Sequence, residues 1–254
     1  MEDIKHLNIE DIPNSSFNIV LGKRRSGKSY MVEDIAKKMI DSGDIQCVFL
    51  FSGTGAGFDF IDKDSRFTDA EPLNNLVNNY KRINDYNKVA PKRDQIKARS
   101  LVIIDDMAPA LKSKQFNILE ELAVNGRHFA YQPCCLHFMI LCQSLTKIPR
   151  VVRLNADNIF LNSIASSAER DMIMDENMYQ LASDAKGKRE AKQLYHDIVS
   201  SAPFVFLCIE CHRQNVTKYS DYLKKYVADW LAPLHNIMPI ALVRIVFRVI
   251  VWID

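Results

Sequence analysis

The segment from Gly22 to Ser29 reads GKRRSGKS, which fits the spacing G-x-x-x-x-G-K-[ST]. The glycines let the loop curl so that successive backbone N–H groups face phosphate oxygens. The ammonium group of Lys28 then reaches the β- and γ-phosphates, and the hydroxyl group of Ser29 is suited to bind Mg²⁺. This pattern predicts a site for a nucleoside triphosphate, ATP or GTP, together with Mg²⁺.

The position of the loop in the sequence is the one that phosphate binding requires. Phe17–Leu21 (FNIVL) predicts a buried strand and Ser29–Ile40 predicts an amphipathic helix, so the loop joins a strand to the N-terminus of a helix. Its variable positions are unusually basic. We expect the whole segment to contact the nucleotide: Gly22, Lys23, Arg24, Arg25, Ser26, Gly27, Lys28, Ser29 and Tyr30.

A second apolar segment, Leu101–Asp106 (LVIIDD), ends in two carboxylates and has the form of a Walker B motif. A carboxylate at the carboxyl end of a strand in a parallel sheet faces the phosphate site. Asp105 is therefore predicted to hold Mg²⁺, directly or through water, and Asp106 to act as base or orienter of the attacking water. The alternative is a buried strand followed by an acidic surface turn.

Polar and basic side chains further along the chain are candidates for acting on the γ-phosphate. Gln143 directly follows the predicted strand HFMILC, so its amide is expected at the same sheet edge as the acidic pair. Arg127 in NGRH, and Arg150 and Arg153 in IPRVVRLN, are candidates for stabilising negative charge in the transition state. Each arginine is equally compatible with a solvated or ion-paired structural role.

Cys208 and Cys211 form a C-x-x-C pair with His212 beside them. A structural zinc site needs further ligands at matching spacing, and no second pair follows. We therefore prefer packing of Cys208 in a strand to a zinc site. The six cysteines lie mostly in apolar runs, which fits a reducing compartment better than a secreted disulfide scaffold.

Strands and helices alternate along the chain, which predicts an α/β fold of the P-loop type with a mostly parallel sheet flanked by helices. The predicted strands are Phe17–Leu21, Gln46–Phe51, Leu101–Ile104, His137–Cys142, Asn158–Leu161 and Phe204–Ile209. The predicted helices are Ser29–Ile40, Leu73–Asn87, Lys114–Gly126, Ile148–Leu154, Ser167–Tyr195 in two pieces, and Lys218–Leu231.

The length of 254 residues suits a single domain over 1–254, with a C-terminal extension at about 232–254 whose role the sequence leaves open. Hydrophobic residues make up 48% and charged residues 25%, so neither disorder nor a fibrous class is indicated. The polar N-terminus lacks the features of a secretory signal. The stretch Ile240–Ile253 carries Arg244 and Arg248 and is shorter than a spanning helix needs.

The net charge of +2 gives no overall signal for nucleic acid, so contact with DNA would have to come from local basic clusters. Two such clusters are Lys88–Arg99 (KVAPKRDQIKAR) and Lys186–Lys192 (KGKREAK). Either could bind phosphates without sequence preference and in a salt-sensitive way. Solvated surface is the alternative for both.

The order of motifs over about Phe17 to Cys211 resembles the poxvirus-type genome-packaging ATPases, a viral branch of the FtsK/HerA superfamily with a RecA-like sheet. In this order the motifs are GKRRSGKS, LVIIDD, NGRH, the strand ending in Gln143, and IPRVVRLNADNIFL. The resemblance implies an ATP-driven, homo-oligomeric ring that threads double-stranded DNA into a viral capsid. It also implies a capsid protein as partner and a place in the virion or in the viral factory of the host cytoplasm. The motifs themselves predict Mg²⁺, and the short, charged C-terminal stretch predicts no membrane span.

The same resemblance assigns roles to matching residues. It implies phosphate and Mg²⁺ ligands at Lys28 and Ser29, a Walker B pair at Asp105 and Asp106, and a polar sensor at Gln143. The family's GRH motif matches Gly126, Arg127 and His128.

Two other functions stay open on the sequence alone. A P-loop nucleoside or nucleotide kinase would need an acceptor pocket and an arginine-rich lid, whereas paired carboxylates favour water as the acceptor. A nucleotide-dependent scaffold for capsid assembly would bind ATP without turnover. Measured hydrolysis would separate it from an ATPase.

Overall fold

The computed structural model describes residues 3–54, 57–107, 110–113, 116–130, 132–178, 185–213 and 215–229, without the side chains of residues 127–129 and 185. Within this part, eight strands form one sheet. They are β1 (Phe17–Leu21), β2 (Cys47–Ser52), β3 (Arg66–Phe67), β4 (Arg99–Asp105), β5 (Cys135–Cys142), β6 (Asn158–Leu161), β7 (Val205–Glu210) and β8 (Leu223–Val227).

The strand order is β3-β2-β4-β5-β1-β6-β7-β8. The pairs from β3 to β6 are parallel, and β7 runs antiparallel to both β6 and β8. The predicted fold class, a mostly parallel sheet flanked by helices, is therefore confirmed. The helices are α1 (Lys28–Asp41), α2 (Glu71–Val89), α3 (Ile118–Phe129), α4 (Arg150–Leu154), α5 (Ser167–Asn177) and α6 (Ala185–Val199).

The six inner strands of the sheet are buried on both faces, as the strands of parallel sheets covered by crossover helices are. Successive side chains of a strand point to opposite faces, so β5 contributes to two separate apolar clusters. Phe138 and Ile140 join the cluster that includes residues of α2 to α6. Met139 and Leu141 join the cluster that includes residues of α1. The six inner strands are consequently mostly apolar without polar alternation, whereas the edge strands β3 and β8 are partly exposed.

The last strand is joined to α1 by a buried carboxylate. Asp34 Oδ2 accepts hydrogen bonds from the Tyr226 hydroxyl at 2.6 Å, from the Lys38 ammonium at 2.8 Å and from the Asp229 N–H at 3.2 Å. The Tyr30 hydroxyl donates to the Asp229 carbonyl at 2.6 Å. These bonds fix the chain beyond β8 against the helix that follows the phosphate loop.

The helix predicted over Lys218–Leu231 is wrong within the described residues. A short 3-10 helix at Tyr219–Asp221 leads directly into β8. Leu223 and Tyr226 are buried there, and β8 pairs with β7 along its length. The reason is tertiary, because β7 is apolar on both faces and its edge needs a partner, which overrides the local helical pattern.

The helix boundary predicted at Gly126 is also wrong, because α3 continues to Phe129. A glycine inside a helix costs only about 1 kcal/mol relative to alanine, so it need not end one. The predicted start at Lys114 lies outside the described residues. In the part of the chain that the structure describes, no helix is long and apolar enough to cross a membrane.

The register of three neighbouring strands determines where the sequence motifs meet. Leu21 at the end of β1 pairs with Cys142 at the end of β5, and Asp105 at the end of β4 pairs with Leu141. The carboxyl ends of β1, β5 and β4 are therefore level. The loops that follow them leave the same edge of the sheet side by side.

Candidate nucleotide-binding site

The loop between β1 and α1 has the conformation that its glycines permit. Gly27 has φ of 86°, in the left-handed region, where it begins α1. A Cβ atom on Gly22 would lie 2.5 Å from Ser26 Oγ, so any larger residue would displace the Ser26 side chain. The loop is anchored to its neighbours because the Lys23 N–H donates to the Ser163 carbonyl at 2.8 Å.

The Lys28 ammonium group lies over the loop. It donates to the carbonyl oxygens of Gly22 at 2.9 Å and Lys23 at 3.1 Å. Burial lowers the pKa of Lys28, against the opposing effect of the Asp105 carboxylate. A phosphate oxygen at the mouth of the loop would give this partly desolvated cation a stronger, charged acceptor.

Ser29 and Asp105 meet across the site. The Ser29 hydroxyl donates to Asp105 Oδ2 at 3.3 Å. Burial raises the pKa of Asp105, while the Ser29 hydrogen bond and then the Lys28 charge oppose that rise. Mg²⁺ prefers oxygen ligands and is commonly held by one or two protein oxygens together with substrate phosphates. The hydroxyl and carboxylate fit this ion.

Asp106 follows in an uncommon backbone conformation, with φ of 54°. A non-glycine residue in the left-handed region costs about 1–3 kcal/mol and is found preferentially at functional sites. The conformation turns the chain sharply at the end of β4, and the Asp106 side chain is exposed. Gly53, after β2, lies close by, since a Cβ atom there would be 3.1 Å from the Asp106 carbonyl oxygen.

The loops enclose a cavity of about 680 Å³, a size that suits a nucleotide. It brings together seven of the residues singled out from the sequence: Arg24, Arg25, Lys28, Ser29, Asp105, Asp106 and Gln143. It is also lined by residues that the sequence reasoning did not select: Thr54, Leu141, Cys142, Ser144 and Lys147. The sequence did contain a signal for these residues, because each lies near the carboxyl end of β2 or β5, at the edge of the sheet where the motifs meet.

The three predicted arginines lie in α3 and α4. Arg153 of α4 has a side chain only 11% exposed, and its Nη1 lies 3.5 Å from Glu176 Oε2 of α5. It is not among the residues that line the cavity. The backbone of Arg127 lies in α3, and its side chain is outside the described part of the structure. Arg150, the first residue of α4, is exposed.

The cysteine pair is divided between the two faces of the sheet. Cys208 is fully buried in the cluster on the α1 side. Cys211 packs against the opposite cluster, with its Sγ 3.8 Å from Asn177 Oδ1. The described residues contain no group of three or more His, Cys, Asp or Glu side chains arranged to hold a metal ion.

A phosphate loop, paired carboxylates and a polar residue at level strand ends of a parallel sheet define a P-loop ATPase. The model of the poxvirus A32 protein family matches residues 4–219, so the chain belongs to this family. The resemblance drawn from the order of motifs is thereby confirmed. Among curated proteins, none matches the chain in sequence.

Solved structures with a similar fold include two proteins bound to ATPγS. The genome packaging NTPase B204 from Sulfolobus turreted icosahedral virus 2 is 15% identical, with 83% of this chain and 96% of that chain covered and a TM-score of 0.52. The pCW3 conjugation coupling protein TcpA is 17% identical, with 87% and 62% covered and a TM-score of 0.57. At these identities the likeness concerns the fold.

We predict that Gly27→Ala destabilises the protein more than Gly43→Ala does. Both glycines have left-handed φ, but a Cβ atom on Gly27 would lie 2.3 Å from Phe204 Cδ1, whereas Gly43 has open space. The expected losses in free energy of unfolding are roughly 3 and 1 kcal/mol, measured by denaturant titration. Equal losses would show that the loop does not pack against Phe204 as described.

Proposed function

We propose that this chain is the ATP-driven motor that packages double-stranded DNA into a viral capsid. Membership of the poxvirus A32 family supports this function, and B204, which has the same fold, is itself a genome packaging NTPase. The observation that carries the proposal is the cavity where the phosphate loop, Asp105, Asp106 and Gln143 converge. The protein acts as an ATP hydrolase.

The geometry suggests a role for each group in that cavity. The loop N–H groups and Lys28 bind the phosphates, while Ser29 and Asp105 would hold Mg²⁺, which would neutralise phosphate charge. Asp106, exposed beside Asp105, accepts a proton from the attacking water. Gln143, on the loop after β5, orients that water.

Water is the acceptor favoured by this arrangement. Asp106 and Gln143 project from the ends of neighbouring strands and face the same cavity as Lys28. A kinase requires that cavity to admit an acceptor molecule, while a scaffold requires no base beside the phosphates. The paired carboxylates therefore support hydrolysis over phosphoryl transfer and over nucleotide binding without turnover.

The two basic clusters differ in what their charges contact. In α6, Lys188 and Lys192 pair with Asp175 and Asp171 of α5 at 3.0 and 2.8 Å. In the connector Lys88–Arg99, which joins α2 to β4, Lys88, Arg93 and Arg99 are also ion-paired. Its Lys92 and Lys97 are exposed and form no ion pair within the described part of the chain. We therefore propose the connector as the DNA-contacting cluster. It lies at the amino ends of the strands, roughly 20 Å from the phosphates given the length of β4.

The ring, the capsid partner and the location belong to the same proposal. We propose that copies of the chain, each a single ATPase domain, form a homo-oligomeric ring around DNA. The ring acts on a capsid in the virion or in the viral factory of the host cytoplasm. Within it, Arg127 and Arg153 remain candidates for stabilising charge, and the segment 230–254 lies outside the described residues.

We predict that linear double-stranded DNA stimulates ATP hydrolysis and that Lys28→Ala and Asp106→Asn both abolish the stimulated rate. Loss of Lys28 removes phosphate binding, and loss of the Asp106 carboxylate is expected to lower kcat by about 100-fold or more. Asp64→Asn is the matched control, since this exposed aspartate lies outside the cavity. Full turnover by Asp106→Asn would contradict the proposed role of this carboxylate, and a rate indifferent to DNA would contradict the motor.

We also predict that neutralising the connector weakens DNA binding while neutralising α6 does not. The triple variant Lys92→Gln, Arg93→Gln, Lys97→Gln should lower the slope of log K against log salt concentration by about 3, because each phosphate contact contributes about 1. The matched triple variant carries glutamine at positions 186, 188 and 192. A loss confined to the α6 variant would place the DNA there instead.

A further inference from the structure

The turn after β5 is fixed at both ends. A short 3-10 helix at Leu145–Lys147 follows Gln143 and Ser144. Leu145 is 0% exposed and Ile148 is 1% exposed, so both side chains anchor the turn in the core. Lys147, between these anchors, is exposed and lines the nucleotide cavity.

Hydrogen bonds also hold this turn, one of them from α5 and the others within the turn itself. Glu169 of α5 accepts a hydrogen bond from the Leu145 N–H. The Ser144 and Thr146 hydroxyl groups lie 2.8 Å apart, and the Lys147 N–H donates to the Ser144 carbonyl at 3.2 Å. A turn held in this way places the root of the Lys147 side chain at a defined position beside the cavity.

The position of β5 in the sheet decides which part of the nucleotide Lys147 meets. β5 lies between β4, which carries Asp105, and β1, which leads into the phosphate loop. The loop after β5 therefore faces the space between Asp105, the predicted Mg²⁺ ligand, and the phosphate loop. The γ-phosphate is expected in this space. Arg24 and Arg25 reach the cavity from the phosphate loop, and Lys147 reaches it from the loop after β5.

Arg153 and Lys147 differ in whether their charge is already paired. Arg153 is paired with Glu176 and packed between α4 and α5. By contrast, the Lys147 ammonium group has no hydrogen bond or ion pair within the part of the chain that the structure describes. A free cation on a rigid turn is suited to bind charge that develops in a transition state.

We infer that Lys147 is a catalytic residue that contacts the γ-phosphate from within the same subunit, and that Glu169 is the residue that positions it. This inference rests on the proposed ATP hydrolysis. The oxygen of water forms a bond to the γ-phosphorus, and the bond from phosphorus to the bridging oxygen breaks. ADP leaves with that electron pair, and the water proton passes to Asp106 and then to solvent. Lys147 stabilises the negative charge on the transferring group.

The test compares steady-state ATP hydrolysis by wild type, Lys147→Met, Lys147→Arg and Lys63→Met. Lys63 is the matched control, an exposed lysine on the 3-10 helix before β3 and outside the cavity. Lys147→Met is expected to lower kcat by about 100-fold, and Lys147→Arg to recover most of the rate. KM should change by less than about threefold, because the contact forms chiefly in the transition state.

The outcomes separate this inference from the proposed function. Hydrolysis that Lys28→Ala abolishes but Lys147→Met leaves within about threefold of wild type would overturn the role of Lys147 alone. A rise in KM at unchanged kcat would also overturn it, since that pattern reports ground-state binding. An inactive wild type would remove the proposed function and this inference together. Thermal melting of every variant checks that it is folded.

Glu169 supplies a second, independent measurement. Glu169→Ala should lower kcat because the turn loses its acceptor, and Glu169→Gln should restore the rate because the amide oxygen still accepts from the Leu145 N–H. Both variants remove the same negative charge, so rescue by glutamine reports positioning. Equal rates for alanine and glutamine would contradict the positioning role.

Discussion

The level ends of β1, β5 and β4 are the constraint on which the site depends. The pairs Leu21 with Cys142 and Leu141 with Asp105 fix this register through backbone hydrogen bonds between strands buried on both faces. A shift of one residue would move every side chain of a strand into the other apolar cluster, so close packing on both faces specifies the register. This register brings together the phosphate loop, the carboxylate pair and the turn that carries Gln143. They need no direct bonds to one another to lie at the same edge of the sheet.

The charges at that edge are held partly desolvated before nucleotide binds. Lys28 rests on two carbonyl oxygens of its own loop, and Asp105 accepts a hydrogen bond from Ser29. These contacts satisfy the groups in the free protein, and phosphates and Mg²⁺ would replace them with stronger partners.

The sequence allowed much of this to be predicted, because the phosphate loop and the apolar strands carry local signals. The spacing in GKRRSGKS predicts a phosphate loop, and the run LVIIDD predicts a buried strand that ends in two carboxylates. Local signals failed where long-range pairing decides the outcome, as for β8, which forms because the edge of β7 needs a partner. Lys147 was missed although its place after β5 puts it near this edge of the sheet, because its own segment carries no nucleotide-binding motif.

The most direct test of the central claim is the coupling between Mg²⁺ and ATPγS, measured by isothermal titration calorimetry on wild type and Asp105→Asn. If the ion sits between Ser29, Asp105 and the phosphates, Mg²⁺ should tighten ATPγS binding to wild type by about 10-fold or more. The isosteric asparagine should remove most of that gain while leaving binding without Mg²⁺ intact. An equal gain in both proteins would contradict the account, because the ion would then be held elsewhere.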